Sequence, residues 1–172
     1  PNYALAYSGL ADTYALFPNR GDFRPKEYMP QAKAAALKAL ELDPNLAEAH
    51  TSMAKVLFEY EYDFAGAEKS FKRAIELDPN YASAHQWYSE LLSLSSRHDE
   101  AIREITKAIE LDPFSMIINQ NMIVWLVFAE RLDEALLQYK KFNELFPNEP
   151  RFHFINGIIY ARQGKYDQAV EE

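Results

Sequence analysis

An all-α solenoid of antiparallel helix pairs is the fold this sequence predicts, and three observations carry the prediction. A tetrapeptide returns at a nearly constant step: Glu41-Leu42-Asp43-Pro44, Glu76-Leu77-Asp78-Pro79, Glu110-Leu111-Asp112-Pro113 and Glu144-Leu145-Phe146-Pro147, with the prolines 35, 34 and 34 residues apart. Alanine returns in phase with it, at Ala32, Ala67, Ala101, Ala135 and Ala169. Between the prolines the apolar residues fall at helical spacing, as in Ala101, Ile102, Ile105, Ala108 and Ile109. One such helix pair cannot cover both of its apolar faces, so successive units bury them by stacking.

The punctuation places the elements. Each proline cannot continue the helix before it and disfavours α geometry in the preceding residue. It suits the first turn of the helix that follows, where its missing N–H costs nothing. Asp99, Asp133 and Asp167 precede helical patterns and are placed to cap their free N–H groups. The expected helices are 2–16, 31–42, 46–61, 65–77, 80–95, 99–111, 114–129, 133–145, 148–163 and 167–172. They form a single domain over 1–172 with units 4–46, 47–81, 82–115, 116–149 and 150–172. The first unit is long, its extra length falling between Leu16 and Gln31 with Pro18, Gly21, Pro25 and Pro30. The second carries one extra residue near Tyr62-Asp63-Phe64. The chain is expected to be part of a longer protein.

The period, the helical hairpin and the proline resemble the tetratricopeptide repeat, and the resemblance covers nearly the whole chain. Its small-residue columns read Ala32, Ala67, Ala101, Ala135, Ala169; then Ala39, Ala74, Ala108, Phe142; and Ala11, Ala54, Ser89, Ile123, Gly157. A large-residue column reads Tyr14, Leu57, Leu92, Leu126, Tyr160. The family's tryptophan column departs, as Tyr7, His50, His85, Asn119 and His153. Ile123 and Phe142 are bulky where the family is small, which implies looser packing or a bend in the fourth unit. The resemblance implies a right-handed superhelix whose first helices line a concave groove. The extended first unit running into Lys33 through Pro44, together with Ala84-His85-Gln86-Trp87-Tyr88, is similar to arrays that follow winged-helix, kinase or cyclase domains in bacterial regulators.

Charge and composition exclude several functions. Asp and Glu number 26 against 18 Lys and Arg, for a net charge of −8 with no basic run, which disfavours nucleic acid and anionic membrane surfaces as partners. No cysteine is present, so disulfides and thiolate metal sites are excluded and a cytoplasmic setting fits. The apolar run from Met122 to Ala129 is far short of a membrane span. His50, His85 and His153 share one column in successive units, each expected inside its own hairpin rather than around a metal. His98 is expected in a solvated turn. No nucleophile motif, phosphate loop or metalloprotease motif occurs, so neither catalysis nor a cofactor is expected. The aromatics of the long first turn, Phe17, Phe23 and Tyr28, are expected to fold back onto the helices, with Arg20, Arg24 and Lys26 beside them.

By the resemblance, the groove columns hold Ser8 and Asp12, Thr51 and Lys55, Gln86 and Glu90, Gln120 and Val124, then Phe154 and Ile158. Trp87, Asn121, Phe58, Val127 and Arg151 flank them, and Trp125 lies off the stripe as packing. Early positions are polar and late ones apolar, which suits a peptide whose backbone is hydrogen-bonded at one end and whose side chains are held at the other. The Lys, Asn and Arg set with which some family members clamp a C-terminal carboxylate does not occur in three successive units. The expected function is a protein- or peptide-binding scaffold; the alternative is a regulatory or spacer domain that contacts another domain of its own chain. The apolar C-terminal end is also a candidate homodimer surface.

Overall fold

The computed structural model describes residues 3–17, 24–147, 149 and 153–171. Those residues form the helices α1 (Ala4–Leu16), α2 (Pro25–Leu42), α3 (Ala47–Glu59), α4 (Phe64–Leu77), α5 (Ala82–Leu94), α6 (His98–Leu111), α7 (Met116–Phe128), α8 (Leu132–Leu145), α9 (His153–Arg162) and α10 (Tyr166–Glu171), with no strand among them. The chain divides into two compact units, Pro1–Leu91 and Leu92–Glu172.

In the first unit α1 packs on α2 and α3, and α3 on α4. The contacts are made through alanine. Ala11, Ala35 and Ala36 pack with Met53, while Ala15 and Ala32 pack with Met29 and Val56. Ala47, Ala74 and Ala84 form a third cluster, with Ile75, Leu77 and Tyr81 against it. In the second unit α7 packs on α6 and α8, and α9 on α8 and α10. Its core holds Ile105, Ala108, Ile118, Ile123, Leu126 and Ile159. Ile123 and Phe142 are the bulky residues at columns expected to be small. Both are buried, and the Phe142 ring lies 5.0 Å from that of Phe146.

The turn between units is built by the aspartate as much as by the proline. The Asp43 carboxylate accepts from Asn45 N–H at 2.9 Å, and Asp78 does the same for Asn80 at 2.9 Å, forming Asx turns across each proline. The proline therefore sits in the turn: Pro44 precedes α3, which starts at Ala47, so the expected placement in the first helical turn is corrected. A side chain then returns to close each turn. The His50 Nε2 lies 2.9 Å from Pro44 O and the His85 Nε2 lies 3.1 Å from Pro79 O, six residues back in both cases. A carbonyl only accepts, so Nε2 carries the proton in both rings. Asn119 replaces histidine at the next turn, its Nδ2 donating to Pro113 O at 3.0 Å. The column where the family has tryptophan thus works here as a latch. The His153 side chain lies outside the described residues.

The turn within each helix pair after the first is a left-handed helix stop. Ser96, Glu130 and Gly164 have φ of 59°, 57° and 75°, and the next N–H bonds back to the last turn: Arg97 to Leu92 O, Arg131 to Leu126 O and Lys165 to Tyr160 O, each at 2.9 Å. Tyr62 (φ 57°) takes the same role, and the extra residue of its turn is absorbed by a wider bond from Asp63 N–H to Leu57 O at 2.9 Å. Asp99 and Asp133 lie inside the first turns of α6 and α8 instead of capping them, since the capping positions are Arg97 and Arg131. Each arginine grips the glutamate three residues on, Arg97 to Glu100 and Arg131 to Glu134. Asp167 likewise lies within the first turn of α10. Asp63 is a true cap: it accepts from Gly66 N–H at 2.9 Å, and a Cβ on Gly66 would collide with its carboxylate.

The long first unit also differs from expectation. Helix α2 begins at Pro25 and carries Pro30 inside it, so the helix claims residues that were expected in the turn. Pro25 at the first helical position loses no bond, and Pro30 withholds one only from the exposed end of the helix. The burial of Met29, 2% exposed, offsets that loss. The ring centroids of Phe17 and Tyr28 are 5.1 Å apart, and those of Tyr14 and Tyr28 6.2 Å, so these aromatics do fold back. Phe23, Arg20, Pro18 and Gly21 lie outside the described residues, and Arg24 and Lys26 are exposed. The Cβ of an L-residue costs roughly 1–2 kcal/mol in the left-handed region. Ser96→Gly is therefore expected to stabilise the protein by about 1 kcal/mol and Gly164→Ala to destabilise it by a similar amount. Urea unfolding of the two variants beside the parent checks both signs.

Candidate functional site

Of the expected groove residues in the first unit, Asp12 and Glu90 are half-buried and the others are buried. Thr51 is fully buried, and its hydroxyl donates to Ala47 O of its own helix at 2.9 Å. Lys55 is 2% exposed, and Gln86 is 9% exposed beneath the same surface. The Lys55 ammonium lies 2.7 Å from both Glu59 and Glu90 and 5.2 Å from the centre of the Trp87 ring. Burial by itself lowers the Lys55 pKa, but the charges of Glu90 and Glu59 outweigh it, and the group is held above its ordinary value as a cation. Glu59 is pushed up by burial, which the Lys55 charge only partly offsets and the neighbouring Glu90 reinforces. Two carboxylates thus compete for one ammonium.

One turn away lies a second acidic group. Asp12 on α1 accepts from the Ser52 hydroxyl of α3 at 2.5 Å, and Ser52 in turn lies 3.1 Å from the Ser8 hydroxyl. The one Ser52 proton is shared between Asp12 and the Glu48 carbonyl at 2.8 Å, so Ser8 is the donor to Ser52. Burial raises the Asp12 pKa to about 6; the Ser52 bond lowers it and the Glu48 charge adds to the rise. Tyr81 at the start of α5 is pushed up to about 12, by burial first and then by Asp12, so its hydroxyl stays protonated. Glu48, Glu59 and Tyr81 escaped the sequence reading. The i, i+4 spacing of Lys55 and Glu59 was the one signal available for them.

In the second unit Gln120, Asn121 and Val124 on α7 are half-buried. Phe154 and Ile158 on α9 are 63% and 38% exposed, large apolar groups open to solvent. The flanking residues Phe58, Trp87 and Val127 are buried, as is Trp125 with its ring 5.9 Å from Phe128. Arg151 lies outside the described residues. His50 and His85 are engaged with their own prolines, as described above. His98, expected in a solvated turn, is the first residue of α6 and half-buried, with its Nδ1 shut away from solvent. Among the described residues no helix is long and apolar enough to cross a membrane.

These helix pairs, their alanine contacts and their latched turns define a helical-repeat scaffold. Family models of the tetratricopeptide repeat match residues 47–81, 70–103 and 126–172, and the chain belongs to the tetratricopeptide-repeat family. Proteins of this kind are in general non-catalytic scaffolds for protein interaction. No curated protein matches the sequence. Among solved structures, MamA is 24% identical with a TM-score of 0.71, the alignment covering 86% of each chain. PilF of Pseudomonas aeruginosa is 23% identical with a TM-score of 0.73 over 96% of this chain and 74% of its own. YrrB, titled a TPR protein with an unusual peptide-binding site, is 22% identical with a TM-score of 0.68 over 99% of this chain and 82% of its own. At these identities the likeness is one of fold.

Asp12 gives a prediction whose sign is fixed. Its folded pKa of about 6 lies above the ordinary 3.8, so the fold favours the protonated form. That contribution is fully present below about pH 3.8 and is lost as the pH rises through about 6. Asp12→Asn is expected to stabilise the protein by about 1–2 kcal/mol at pH 7, after allowance for solvent screening, and to be neutral near pH 3.5. Unfolding free energies of the two proteins measured across this range give the difference directly.

Proposed function

We propose that the chain is a non-catalytic scaffold whose first unit holds a basic segment of a partner protein, or of another domain of its own chain. The observation that carries this reading is the charge of the first helices. Asp12, Glu48, Glu59 and Glu90 stand on α1, α3 and α5, and the Lys55 ammonium among them is already shared by Glu59 and Glu90. A lysine or arginine side chain arriving at this surface supplies the missing countercharge. Asp12 supports the reading from the side of stability: an acid kept where burial disfavours its charge costs the fold and gains a use when a cation binds. Tyr81 adds a hydroxyl that stays protonated beside it.

The second unit contributes different chemistry. The amides of Gln120 and Asn121 suit the backbone of an extended segment, and Val124, Phe154 and Ile158 suit apolar side chains. The description of YrrB as a peptide-binding protein agrees with this class of function.

Titration calorimetry with a lysine-alanine peptide and a glutamate-alanine control tests the charge reading. The expected result is binding of the lysine peptide alone, weakened by salt. The double change Asp12→Asn, Glu90→Gln is expected to weaken it about tenfold, equivalent to roughly 1.4 kcal/mol. Equal binding of both peptides, or indifference to the double change, removes the proposal.

A further inference from the structure

The tyrosine that closes one helix contact in the first unit has no counterpart in the second, and a cavity lies there instead. Tyr88 of α5 packs across α4: its ring is 5.8 Å from that of Phe71, and its hydroxyl donates to Glu68 at 2.9 Å. One repeat later the three positions are Met122, Ile105 and Ile102. The thioether carries no ring and no donor, and an isoleucine stands in the place of the glutamate. Met122 and Ile102 line a cavity of about 280 Å³ bounded by α6, α7 and α8. All three helices are internal to the chain, with a further helix before α6 and after α8.

The cavity is apolar within and charged at its rim. Met122 and Leu126 of α7 are buried at its base, and Leu137 of α8, 56% exposed, stands at its mouth. Water in such a site finds few hydrogen-bond partners and is readily displaced by an apolar group. The volume is below the roughly 300–1,000 Å³ of small-molecule sites, so it suits one side chain rather than a cofactor. The half-buried Gln138 amide offers a donor and an acceptor to the backbone that carries such a side chain. Arg131, Glu134 and Lys141 complete the lining. Glu134 already holds the Arg131 guanidinium, at 2.7 and 2.6 Å. Lys141 is exposed and has no ionic partner among the described residues. The uncompensated charge at the rim is therefore positive, in a chain whose net charge is −8.

We propose that this cavity receives one large apolar side chain, phenylalanine or leucine, from a segment of a partner protein that carries an aspartate or glutamate beside it. The apolar group takes the role that the Tyr88 ring has against α4. The carboxylate supplies the countercharge that Lys141 lacks. This inference is independent of the charge reading of the first unit, which concerns a basic ligand and none of these residues.

An NMR titration of the 172-residue chain, isotope-labelled in its Ile, Leu and Met methyl groups, tests it. The probe is the peptide acetyl-Gly-Phe-Glu-Gly-amide and the control is acetyl-Gly-Phe-Lys-Gly-amide. The probe is expected to shift the Ile102 and Met122 methyl signals saturably and to bind about threefold more tightly than the control, the scale of an exposed ion pair. Met122→Tyr restores the ring that α5 carries and is expected to abolish the saturable shift at Ile102. Lys141→Glu, at an exposed position that the fold does not need, is expected to reverse the preference between the two peptides. Equal affinity for both peptides overturns the proposal, as does a shift at Ile102 that persists in a folded Met122→Tyr, a preference unchanged in Lys141→Glu, or no saturable shift at all. Methyl signals of Ile102 or Met122 that move on dilution of the protein alone would place a second copy in the cavity and overturn it as well.

Discussion

The close approach of neighbouring helices at alanine is the constraint on which this structure depends. Ala32, Ala67, Ala101 and Ala135 are each fully buried, at one repeat position on successive second helices, in the first turn of α4, α6 and α8 and two turns into the longer α2. A methyl group there lets two helix backbones come together, and the larger groups packed around it, such as Val56, Phe71 and Ile105, are wholly removed from water. The latches of His50, His85 and Asn119 onto the preceding proline carbonyls then fix how one pair enters the next. Neither device acts alone: the alanines set a distance, and the latched turns set a direction.

Most of this was legible because it is periodic. The tetrapeptide, the alanine column and the helical spacing each recur, and the described helices lie within a few residues of the expected ranges except at α2, while the expected start of α9 lies outside the described residues. What escaped depends on single conformations rather than on a repeated pattern. An aspartate before a helix reads as a cap, but Asp99 and Asp133 entered the first turn because the left-handed residue ahead of them ends the turn early. Pro30 reads as a helix breaker, but burial of Met29 carried the helix past it. The tryptophan column gave no hint that its histidines hold the turn.

The surface chemistry was less legible still, for a physical reason. Side chains on the first helices meet partners about a repeat away in sequence, as Lys55 meets Glu90 across 35 residues. Composition then says that lysine is present but not that it is already neutralised. The same pairing changes what the surface offers. A column that reads as alternating charge becomes a surplus of carboxylate, in which Asp12 keeps a proton up to about pH 6. The latched turns use the imidazoles of His50 and His85, while Asp12, Glu48, Glu59 and Glu90 stand half-buried on the first helices.

If alanine contact sets the spacing of the helices, enlarging it must be felt in the whole stack. The most direct measurement is the unfolding free energy of Ala67→Leu, read by urea denaturation with circular dichroism. Leucine is a strong helix former, so local propensity predicts almost no loss. The account predicts destabilisation of about 1–3 kcal/mol, the cost of overpacking a closed contact. A variant as stable as the parent would contradict it, because the helices would then have had room to spare.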